Sequence, residues 1–589
     1  MKQFQIMYTS ADAFQKDLAA LRKQRCDSHD TNLLFQVYST ILDKEPVQTL
    51  CAIIEKIFPD VPYMGCSTSG NIANCQVSAA VTVICTVFED ADTKIKILQY
   101  DTAVSSIHEI THKVIQETKR HPWVKALELY CTVPEDSTTQ FCVELKDIRP
   151  DVQIFGGIAC SEDITSSDSI VFSKEGGVSE NAVVLILYGG NQFYVQAINI
   201  TGWKPLGRKF HVTKSSGRIL QELDGIPAYE IYHKYLKIEN DGNFFYHTLE
   251  FPMFYEHNDT TILRVPVASN PDNSITMSSD IETGSIVRIS YGDPATIIAS
   301  IKSAGVEIQE FQPDLLHIFS CAARRTFWTS EEPTYEIEPL KDIAPSSGFF
   351  SHGEFLRTKE NLNQHNVTLV IAAMREGSKT AAYRKNTVHT KTLTKIPLAS
   401  RLANFISATS LELEERNQQL AAINKQLKQT SITDGLTGLY NRKEIQSRIG
   451  EGLHCMKKGI FSIIMLDIDN FKQVNDTYGH QEGDHVIIAL AKILQDSNVL
   501  DAQSFSAGRW GGEEFMLLLP ECDIAHATDI AERIRKCFAG TAFPQAKSLT
   551  VSIGVSQAKS NDTLDTLCVR VDEALYDAKQ SGKNKVVVC

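Results

Sequence analysis

The stretch Arg509-Trp510-Gly511-Gly512-Glu513-Glu514-Phe515-Met516 (RWGGEEFM) decides how the last part of the chain folds. Phe505 precedes it and the apolar run 515–519 follows it, which predicts two strands joined at a glycine pair. Adjacent glycines supply the positive φ angles of a tight primed turn, and they leave no Cβ between the backbone and a ligand. Two carboxylates stand directly beside this loop. Open backbone next to acidic oxygen suits a magnesium-bound triphosphate.

A second acidic cluster lies upstream. The apolar run FSIIML (461–466) predicts a buried strand that ends in Asp467-Ile468-Asp469, where a sheet edge could hold a metal ion. A polar segment follows, and apolar residues at helical spacing then predict a helix over 485–494. The polar segment offers a lysine, an amide and a carboxylate, which are groups that bind phosphate or a base edge. Taken singly, each has an ordinary alternative as a solvated, capping or turn residue.

Five motifs in this order make residues 431–589 resemble a GGDEF-type diguanylate cyclase domain. They are TDGLTGLYNR (433–442), LDIDNFKQVNDTYGHQEGD (466–484), RWGGEEF (509–515), VSIGVS (551–556) and DEALYDAKQSGKNKV (572–586). The resemblance implies a palm-like α/β fold, in which helices flank an antiparallel-rich sheet. The implied reaction joins two GTP molecules into cyclic di-GMP and releases two pyrophosphates.

The resemblance also implies roles for individual residues. Asp467 and the Ile468 carbonyl would ligate Mg²⁺ (or Mn²⁺) together with the hairpin glutamates. Glu513 is the first choice for helping to deprotonate the ribose 3′-hydroxyl and Glu514 for a metal ligand, although the two roles are not cleanly separable. The implied substrate-binding residues are Asn475, His480 and Asp484 at the guanine, and Asn470, Phe471, Lys472, Lys579 and Lys583 at the phosphates. At Lys583 the family more often has arginine, so a phosphate would meet a point charge there.

Two positions depart from the family pattern. Many members carry an Arg-x-x-Asp pair before the hairpin that binds product and inhibits the enzyme. The corresponding residues here are Ala502 and Phe505, which neither bind phosphate nor pair with guanine. We therefore expect no inhibitory product site. Trp510 replaces the usual tyrosine, and we expect it to tune the hairpin without abolishing activity.

Composition limits the remaining possibilities. A chain of 589 residues predicts three or four domains, and a net charge of −14 argues against binding nucleic acid through a basic face. The fourteen cysteines are scattered without a CxxC pair, which indicates free thiols in a reducing cytoplasm. The first residues lack the apolar core of a signal peptide, and the longest apolar run (about 77–88) is shorter than the roughly 20 residues that span a bilayer. We expect a cytoplasmic chain with no membrane span and no nucleic-acid partner.

Residues 1–390 alternate strand-like and helix-like segments. Three apolar runs predict buried strands, namely VSAAVTVICTVF (77–88), NAVVLILYGG (181–190) and DLLHIFSCAA (314–323), and helices are predicted at 105–120 and 296–304. Glycine-rich and neighbouring phrases make residues 30–375 resemble the FIST sensory module: GCSTSG (65–70), FGGIAC (155–160), ELDGIPAYEIYHKYL (222–236), FSCAARR (319–325) and GFFSHGEF (348–355). The resemblance implies binding of a small ligand, with amino acids or their derivatives proposed for the family. Ser67, Arg324 and Arg325 are the candidate ligand contacts.

A catalytic role for this region is the alternative. Cys66 and Cys321 lie in glycine- or arginine-flanked loops, and His352 stands close to Glu354 in the sequence. A cysteine paired with a histidine makes a nucleophilic site. Cysteine is nevertheless among the most buried residue types and usually only packs. The sequence does not show whether these loops meet.

Between the two regions, apolar residues recur by sevens, as in a coiled coil. One row is Ala399, Ile406, Leu413, Leu420 and Leu427, and the partner row holds Leu402 and Ile423 but is interrupted by Thr409 and Arg416. We predict a dimerising signalling helix, with a solitary amphipathic helix as the alternative. The predicted divisions are a lead-in (1–30), two FIST-like halves (30–220 and 221–390), the coiled-coil helix (398–430) and the cyclase domain (431–589).

Together these features predict a multidomain α/β (α+β) chain that acts as a ligand-responsive diguanylate cyclase. Its predicted partners are GTP, a small sensor ligand (possibly an amino acid) and a second copy of the chain, since two nucleotides would face each other across a two-fold axis. The alternative is a catalytically silent regulator that binds GTP or cyclic di-GMP. The intact acidic residues at 467, 484, 513 and 514 argue against it.

Overall fold

The computed structural model describes residues 1–25, 32–133, 138–257, 260–328, 335–358, 361–380, 383, 385–388, 398–455, 460–496 and 505–589, with backbone only at 25, 398–400, 428, 430 and 455. Contacts divide the chain into two compact units, Met1–Leu411 and Glu412–Cys589, which we call the N-terminal unit and the C-terminal unit. Helices and strands are numbered in chain order over these residues.

Three six-stranded sheets form the body of the N-terminal unit. The first has the order β1 (Lys2–Met7), β6 (Thr82–Phe88), β2 (Asn32–Ser39), β3 (Tyr63–Ser67), β10 (Val171–Ser173), β11 (Gly177–Ser179). The second has the order β25 (Asn361–His365), β24 (Glu354–Thr358), β9 (Gln153–Ile158), β8 (Val124–Cys131), β12 (Ala182–Gly189), β7 (Lys94–Asp101). The third has the order β13 (Phe193–Ile200), β26 (Leu369–Glu376), β22 (Leu315–Cys321), β23 (Ser346–Ser351), β4 (Asn71–Ala73), β5 (Gln76–Ser78).

A fourth sheet belongs to the same unit. Its order is β18 (Thr260–Arg264), β17 (Met253–His257), β21 (Ile286–Gly292), β14 (Trp203–Ser216), β15 (Ile219–Leu223), β20 (Ile275–Met277), β19 (Pro266–Ser269), and β16 (Ile226–Pro227) pairs with β15. The helices of the unit are α1 (Ala11–Arg25), α2 (Lys44–Ile57), α3 (Ile107–Arg120), α4 (Thr139–Leu145), α5 (Ala228–Leu236), α6 (Phe244–Leu249), α7 (Pro294–Phe311) and α8 (Ala322–Phe327), and Glu338–Leu340 form a 3₁₀ turn.

The two predicted sensor halves exchange strands. β4 and β5, from the first half, complete the sheet of β22 and β23, and β24 and β25, from the second, complete the sheet of β8 and β9. The predicted boundary at 220 falls inside β15. The predicted lead-in is part of the first sheet, because β1 pairs antiparallel with β6 along its whole length. The two halves therefore build one unit.

Two of the three predicted strands and both predicted helices of this unit are present. The run at 77–88 is not one buried strand, because Val77 and Ser78 belong to β5 in the third sheet, Ala79 is exposed, and only Thr82–Phe88 form β6. β6, β12 and β22 are buried at every residue, as continuous apolar runs predict for strands covered on both faces. α3 begins after Ser106, whose hydroxyl accepts a hydrogen bond from the backbone of Glu109. α7 extends to Phe311, seven residues beyond the predicted end.

A single helix, α9 (Leu398–Ile432), contains the predicted coiled-coil segment. Leu413, Leu420 and Leu427 are 60%, 56% and 61% exposed in the single chain, whereas Ala403 is buried. The side chain of Ala399 lies outside the described residues. The exposed leucines leave an apolar stripe on this helix. Within the described residues, no helix is both long enough and apolar enough to cross a membrane.

The C-terminal unit has one mixed, mainly antiparallel sheet flanked by helices. Its order is β28 (Ser506–Gly511), β29 (Glu514–Pro520), β27 (Phe461–Ile468), β30 (Val551–Gln557), β31 (Val586–Val588), with only β30 and β31 parallel. The helices are α10 (Arg442–Cys455), α11 (Phe471–Tyr478), α12 (His480–Gln495), α13 (Ile524–Ala539) and α14 (Leu564–Gln580). This agrees with the predicted palm-like arrangement.

Candidate active site

The hairpin between β28 and β29 is an open glycine turn. Gly512 has φ +46°, but Gly511 ends β28 without a positive φ, so the prediction that both glycines supply positive φ angles is wrong. A Cβ added to either glycine would meet no other heavy atom within 4 Å. The space in front of the turn is therefore free for a ligand. Arg509 closes the turn through a 2.9 Å hydrogen bond from Nε to the Gly512 carbonyl.

The two predicted acidic groups meet across neighbouring strands. Asp467, near the end of β27, lies directly opposite Glu514 in β29, and Glu513 is the adjacent turn residue. Lys579 of α14 approaches from the helix side, with Nζ 2.7 Å from Asp467 Oδ2. Burial and the negative charges of Glu513 and Glu514 raise the pKa of Asp467 to about 6, although Lys579 opposes this shift. Burial also raises the pKa of Glu514.

Hydrogen bonds fix the connection between β27 and α11. The Asp469 carboxylate is buried and accepts 2.6 Å hydrogen bonds from the Thr550 and Ser552 hydroxyls, so this acid is structural. Asn470 takes a left-handed conformation (φ +57°), and its Oδ1 accepts a 2.6 Å bond from Lys583. The structure thus places Lys583 beside the start of α11, where phosphate binding was predicted.

The other residues predicted to bind metal or phosphate are partly buried in the core and partly exposed. Ile468 is 1% exposed and the Phe471 side chain packs in the core, so only their backbone groups could reach a ligand. Lys472 is exposed on α11. Each position remains compatible with its predicted role, and nothing in the described contacts assigns Lys472 to a site.

The predicted guanine contacts lie at the corner between α11 and α12. The helix predicted to start at 485 begins at His480, so His480 and Asp484 are exposed on its first turns. The Asn475 amide leans against that helix, because a Cβ on Gly483 would lie 2.0 Å from Asn475 Oδ1. A side chain at 483 would displace the Asn475 amide, so glycine is needed at this position, directly before Asp484.

An ion pair that the sequence analysis did not single out ties the hairpin to the end of α9. Arg509 Nη1 lies 3.3 Å from Asp434 Oδ1, and the backbones of Tyr440 and Arg509 share a 2.8 Å hydrogen bond. Burial raises the pKa of Asp434, but the hydrogen bonds from Thr437 and the charge of Arg509 outweigh this effect. The pKa of Asp434 is therefore below its usual value. The first motif of the domain (433–442) thus holds the hairpin through an ion pair and a backbone hydrogen bond.

The two departures from the family pattern have structural counterparts. Trp510 is buried and its ring packs under the Arg442 guanidinium, 4.9 Å from the ring centroid. Phe505 packs partly buried against the core of the unit, and Ala502 lies outside the described residues. The absence of an inhibitory product site stays a prediction.

Two of the three predicted sensor contacts, Ser67 and Arg324, are bonded to other protein groups. The Ser67 hydroxyl is buried and accepts a 2.9 Å bond from the Ile170 backbone. Arg324 is 1% exposed, its Nε lies 2.7 Å from Glu336, and its Nη1 donates to the carbonyls of Ile200, Thr201 and Val367. Arg325 lies over the Phe350 ring, 5.7 Å from its centroid. These partners favour structural roles for Ser67 and Arg324, whereas Arg325 is half-buried and its role as a ligand contact stays a prediction.

The alternative nucleophilic site is not activated. Burial raises the pKa values of Cys66 and Cys321, which keeps both thiols protonated at neutral pH. His352 lines a cavity with Cys321, but burial lowers its pKa to about 4. Burial raises the pKa of Glu354 to about 8, while hydrogen bonds from Thr368 and Ser351 oppose the shift. Cys66 lies in β3 and Cys321 ends β22, so neither cysteine is in a loop as predicted. Cys321 lies opposite Ser351, next to His352, but its thiol stays protonated.

The buried Glu354 predicts a pH-dependent stability. Its folded pKa of about 8 exceeds the usual 4.5, so protonation stabilises the fold fully below pH 4.5, and this contribution is lost as pH rises through 8. We expect Glu354→Gln, which mimics the protonated acid, to flatten the fall in unfolding free energy between pH 5 and 8 by about 3 kcal/mol. Chemical denaturation across this range measures it. An unchanged pH slope would show that Glu354 titrates normally.

Family models match three consecutive parts of the chain. Residues 33–226 match the FIST N domain, 228–357 the FIST C domain, and 431–585 the diguanylate cyclase GGDEF domain. The fold and site thus define a two-part α/β sensor-type unit followed by a nucleotide-cyclase-type domain. The chain carries the FIST N and FIST C domains together with a C-terminal GGDEF domain.

Similar proteins match the GGDEF part. Diguanylate cyclase DgcM of Escherichia coli (strain K12) is 39% identical over 167 residues, which is 28% of this chain and 40% of DgcM. Diguanylate cyclase VdcA of Vibrio cholerae is 36% identical over 192 residues, which is 32% of this chain and 54% of VdcA. The chain thus spans only about half the length of these curated relatives.

Solved structures match the same part. The coiled coil and GGDEF domain of DgcB from Caulobacter crescentus, crystallised with c-di-GMP, is 30% identical. The match covers 33% of this chain and 99% of that one, with a TM-score of 0.29.

Proposed function

We propose that the chain is a ligand-responsive diguanylate cyclase that condenses two GTP molecules into cyclic di-GMP and two pyrophosphates. The observation that carries the proposal is the pairing of Asp467 with Glu514 beside the open Gly511-Gly512 turn, with Glu513 and Lys579 at the same place. The GGDEF match over 431–585 and the similarity to named diguanylate cyclases support it.

The acidic residues fit a divalent cation. Crowding with Glu513 and Glu514 helps raise the pKa of Asp467, and a cation would relieve this repulsion. Among the described residues no three acidic, histidine or cysteine side chains already form a metal-binding group. Mg²⁺ usually takes one or two carboxylates and completes its shell with water and substrate phosphates. We propose Asp467, the Ile468 carbonyl and the hairpin glutamates as ligands of Mg²⁺ or Mn²⁺, which would supply charge neutralisation at the triphosphate.

The remaining groups position the two nucleotides. The 3′-oxygen of one GTP attacks the α-phosphorus of the other, and pyrophosphate leaves. Glu513, at the open turn, would accept the ribose proton, and Lys579 and Lys583 would hold the phosphates. The open turn lets phosphate approach the backbone because no Cβ stands in the way. Most of the catalysis would therefore come from orientation and fixed charge.

Guanine selection is proposed for Asn475 and Asp484, with His480 lining the pocket. A carboxylate accepts hydrogen bonds from the ring N–H and exocyclic amine of guanine, which adenine does not present. We expect Asp484→Ala to lower kcat/KM for GTP by about 5- to 150-fold, because each lost hydrogen bond to a buried edge is worth roughly 1–3 kcal/mol. Rates with GTP and competition by ATP measure the effect.

Two further variants sharpen this test. Gln481→Ala, an exposed change on the same turn of α12, should leave the rate unchanged. Gly483→Ala should act like a loss of Asn475, since the new Cβ would displace its amide. If ATP competes as well as GTP against the unmodified protein, the guanine assignment is wrong.

Activity would require a homodimer, because one domain holds one GTP. The exposed leucines of α9 support dimerisation through this helix. The FIST domains would sense a small molecule and pass the signal along α9. A silent GTP- or cyclic-di-GMP-binding regulator is the alternative, but every acidic and amide group proposed for chemistry is present. Formation of cyclic di-GMP from GTP and Mg²⁺ by the purified chain tests the proposal, and no turnover in an assembled dimer would favour the regulator.

A further inference from the structure

The N-terminal unit contains a cavity of about 720 Å³. It lies where two pairs of parallel strands end, since Val133 and Ile158 follow or end β8 and β9, and Cys321 and Ser351 end β22 and β23. Ligands of α/β sheets commonly bind at the carboxyl ends of parallel strands, and this volume is typical of a small-molecule site. The cavity therefore has both the place and the size of a binding site.

One wall of the cavity contains the neutral imidazole of His352, which has one nitrogen without a hydrogen-bond partner among the described residues. The backbone of His352 is fixed, because its N–H donates to the Ile158 carbonyl at 3.1 Å and its carbonyl accepts a 3.0 Å bond from Asn366. Its Nε2 is buried and has no hydrogen-bond partner among the residues that the structure describes. Burial and the nearby Arg218 charge lower its pKa to about 4, so the ring is neutral. A buried polar atom without a partner is costly, and a bound ligand would satisfy it.

The cavity also holds a cation without an ion pair. Arg218 is half-buried, and its Nε donates to the Met277 carbonyl at 3.0 Å. Over the described ranges no carboxylate lies within ion-pair distance of it. Removal from water lowers its pKa, and the negative charge of Asp280 opposes this shift from a longer distance. A guanidinium binds a carboxylate through two parallel N–H donors. Arg218 is thus the natural partner for an anionic group inside the cavity.

The charged and apolar side chains that line the cavity limit the class of ligand that it can bind. Two exposed acids, Asp43 and Asp168, line the cavity, and they would repel a ligand with several negative charges. A third, Glu180, is paired with Lys44 at 3.0 Å. The rest of the wall includes apolar side chains such as Leu249 and Val265. A molecule with one negative charge and a compact, partly apolar body matches this lining.

We propose that this cavity binds a small monocarboxylate, whose carboxylate is held by Arg218 and His352. None of Ser67, Arg324 and Arg325 lines the cavity, so the site is distinct from the contacts expected from sequence. That the bound molecule regulates cyclase activity rests on the proposed function. Binding itself does not, because all the groups involved lie in the N-terminal unit.

The test uses the full chain and matched pairs of probes: butanoate, 4-methylpentanoate and benzoate, each beside its primary amide. We expect at least one carboxylate to raise the melting temperature and to bind in calorimetry, while its amide, which lacks the charge, does not. Arg218→Gln should weaken that carboxylate at least tenfold. Arg120→Gln, an exposed change on α3, should leave binding unaltered.

Further variants guard against loss of the fold. Should Arg218→Gln not fold, Arg218→Lys and His352→Phe replace it, and each should weaken the carboxylate several-fold. Absence of binding by every carboxylate at about 10 mM, equal binding of the amides, or affinity unchanged in these variants would overturn the proposal. Binding that leaves the cyclic di-GMP rate unchanged would keep the site and refute only the ligand-responsive control.

Discussion

Glu513→Gln should lower the rate of cyclic di-GMP formation by about 10²-fold or more, while the melting temperature stays within about 1 °C of the unmodified protein. Glu513 lies at the open turn, next to the Asp467–Glu514 pair, and its side chain is only half-buried. Glutamine keeps the size and polarity of the side chain but neither accepts a proton nor carries charge. The loss should therefore fall on chemistry and not on stability. Initial rates with saturating GTP and Mg²⁺ measure it.

A matched glutamate provides the control. Glu521 is exposed just beyond the other end of β29, about 23 Å from Glu514 at roughly 3.3 Å per residue. Glu521→Gln should therefore leave the rate unchanged. Glu514→Gln should also reduce activity, and its loss should be partly recovered at high metal concentration if Glu514 is a ligand. Near-normal turnover by Glu513→Gln would remove Glu513 from the catalytic assignment.

Part of the candidate site was predictable because each acidic group stands beside its own short local motif. The apolar run before Asp467 predicts β27, and the glycine pair predicts the hairpin, so the facing of Asp467 and Glu514 follows from strand pairing. The backbone detail was harder. Gly511 continues its strand because Arg509 bonds the Gly512 carbonyl and fixes the turn one residue later.

The sensor contacts were harder to predict for a physical reason. An arginine in a loop looks available in sequence, but three backbone carbonyls and Glu336 converge on Arg324 from distant segments. Conversely, Arg218 carries no motif, and His352 was singled out only beside Glu354 as a catalytic candidate. Only the fold brings these two residues to the same cavity. Contacts between remote segments are set by the fold, which local pattern does not encode.

Leu420→Lys should cut specific activity steeply at low protein concentration and far less at high concentration. Leu413, Leu420 and Leu427 form one heptad row on α9 and are each more than half exposed in a single chain. Burying one leucine side chain is worth about 1.5–3 kcal/mol, and the two-fold axis doubles the loss, so the dimer dissociation constant should rise by about 10²- to 10⁴-fold. The helix of about 50 Å itself should persist, because lysine is a good helix former.

The matched control lies on the opposite face of the helix. Gln418→Lys adds the same charge two residues away, outside both heptad rows, and should preserve activity and dimerisation. Leu420→Pro, which breaks the helix at about 3 kcal/mol, should reduce activity at least as much as Leu420→Lys. Initial rate against enzyme concentration, with sedimentation to follow assembly, separates these cases. Under the proposed function two half-sites meet for each turnover. A specific activity independent of concentration in both lysine variants would mean that α9 does not bring the two GGDEF domains together.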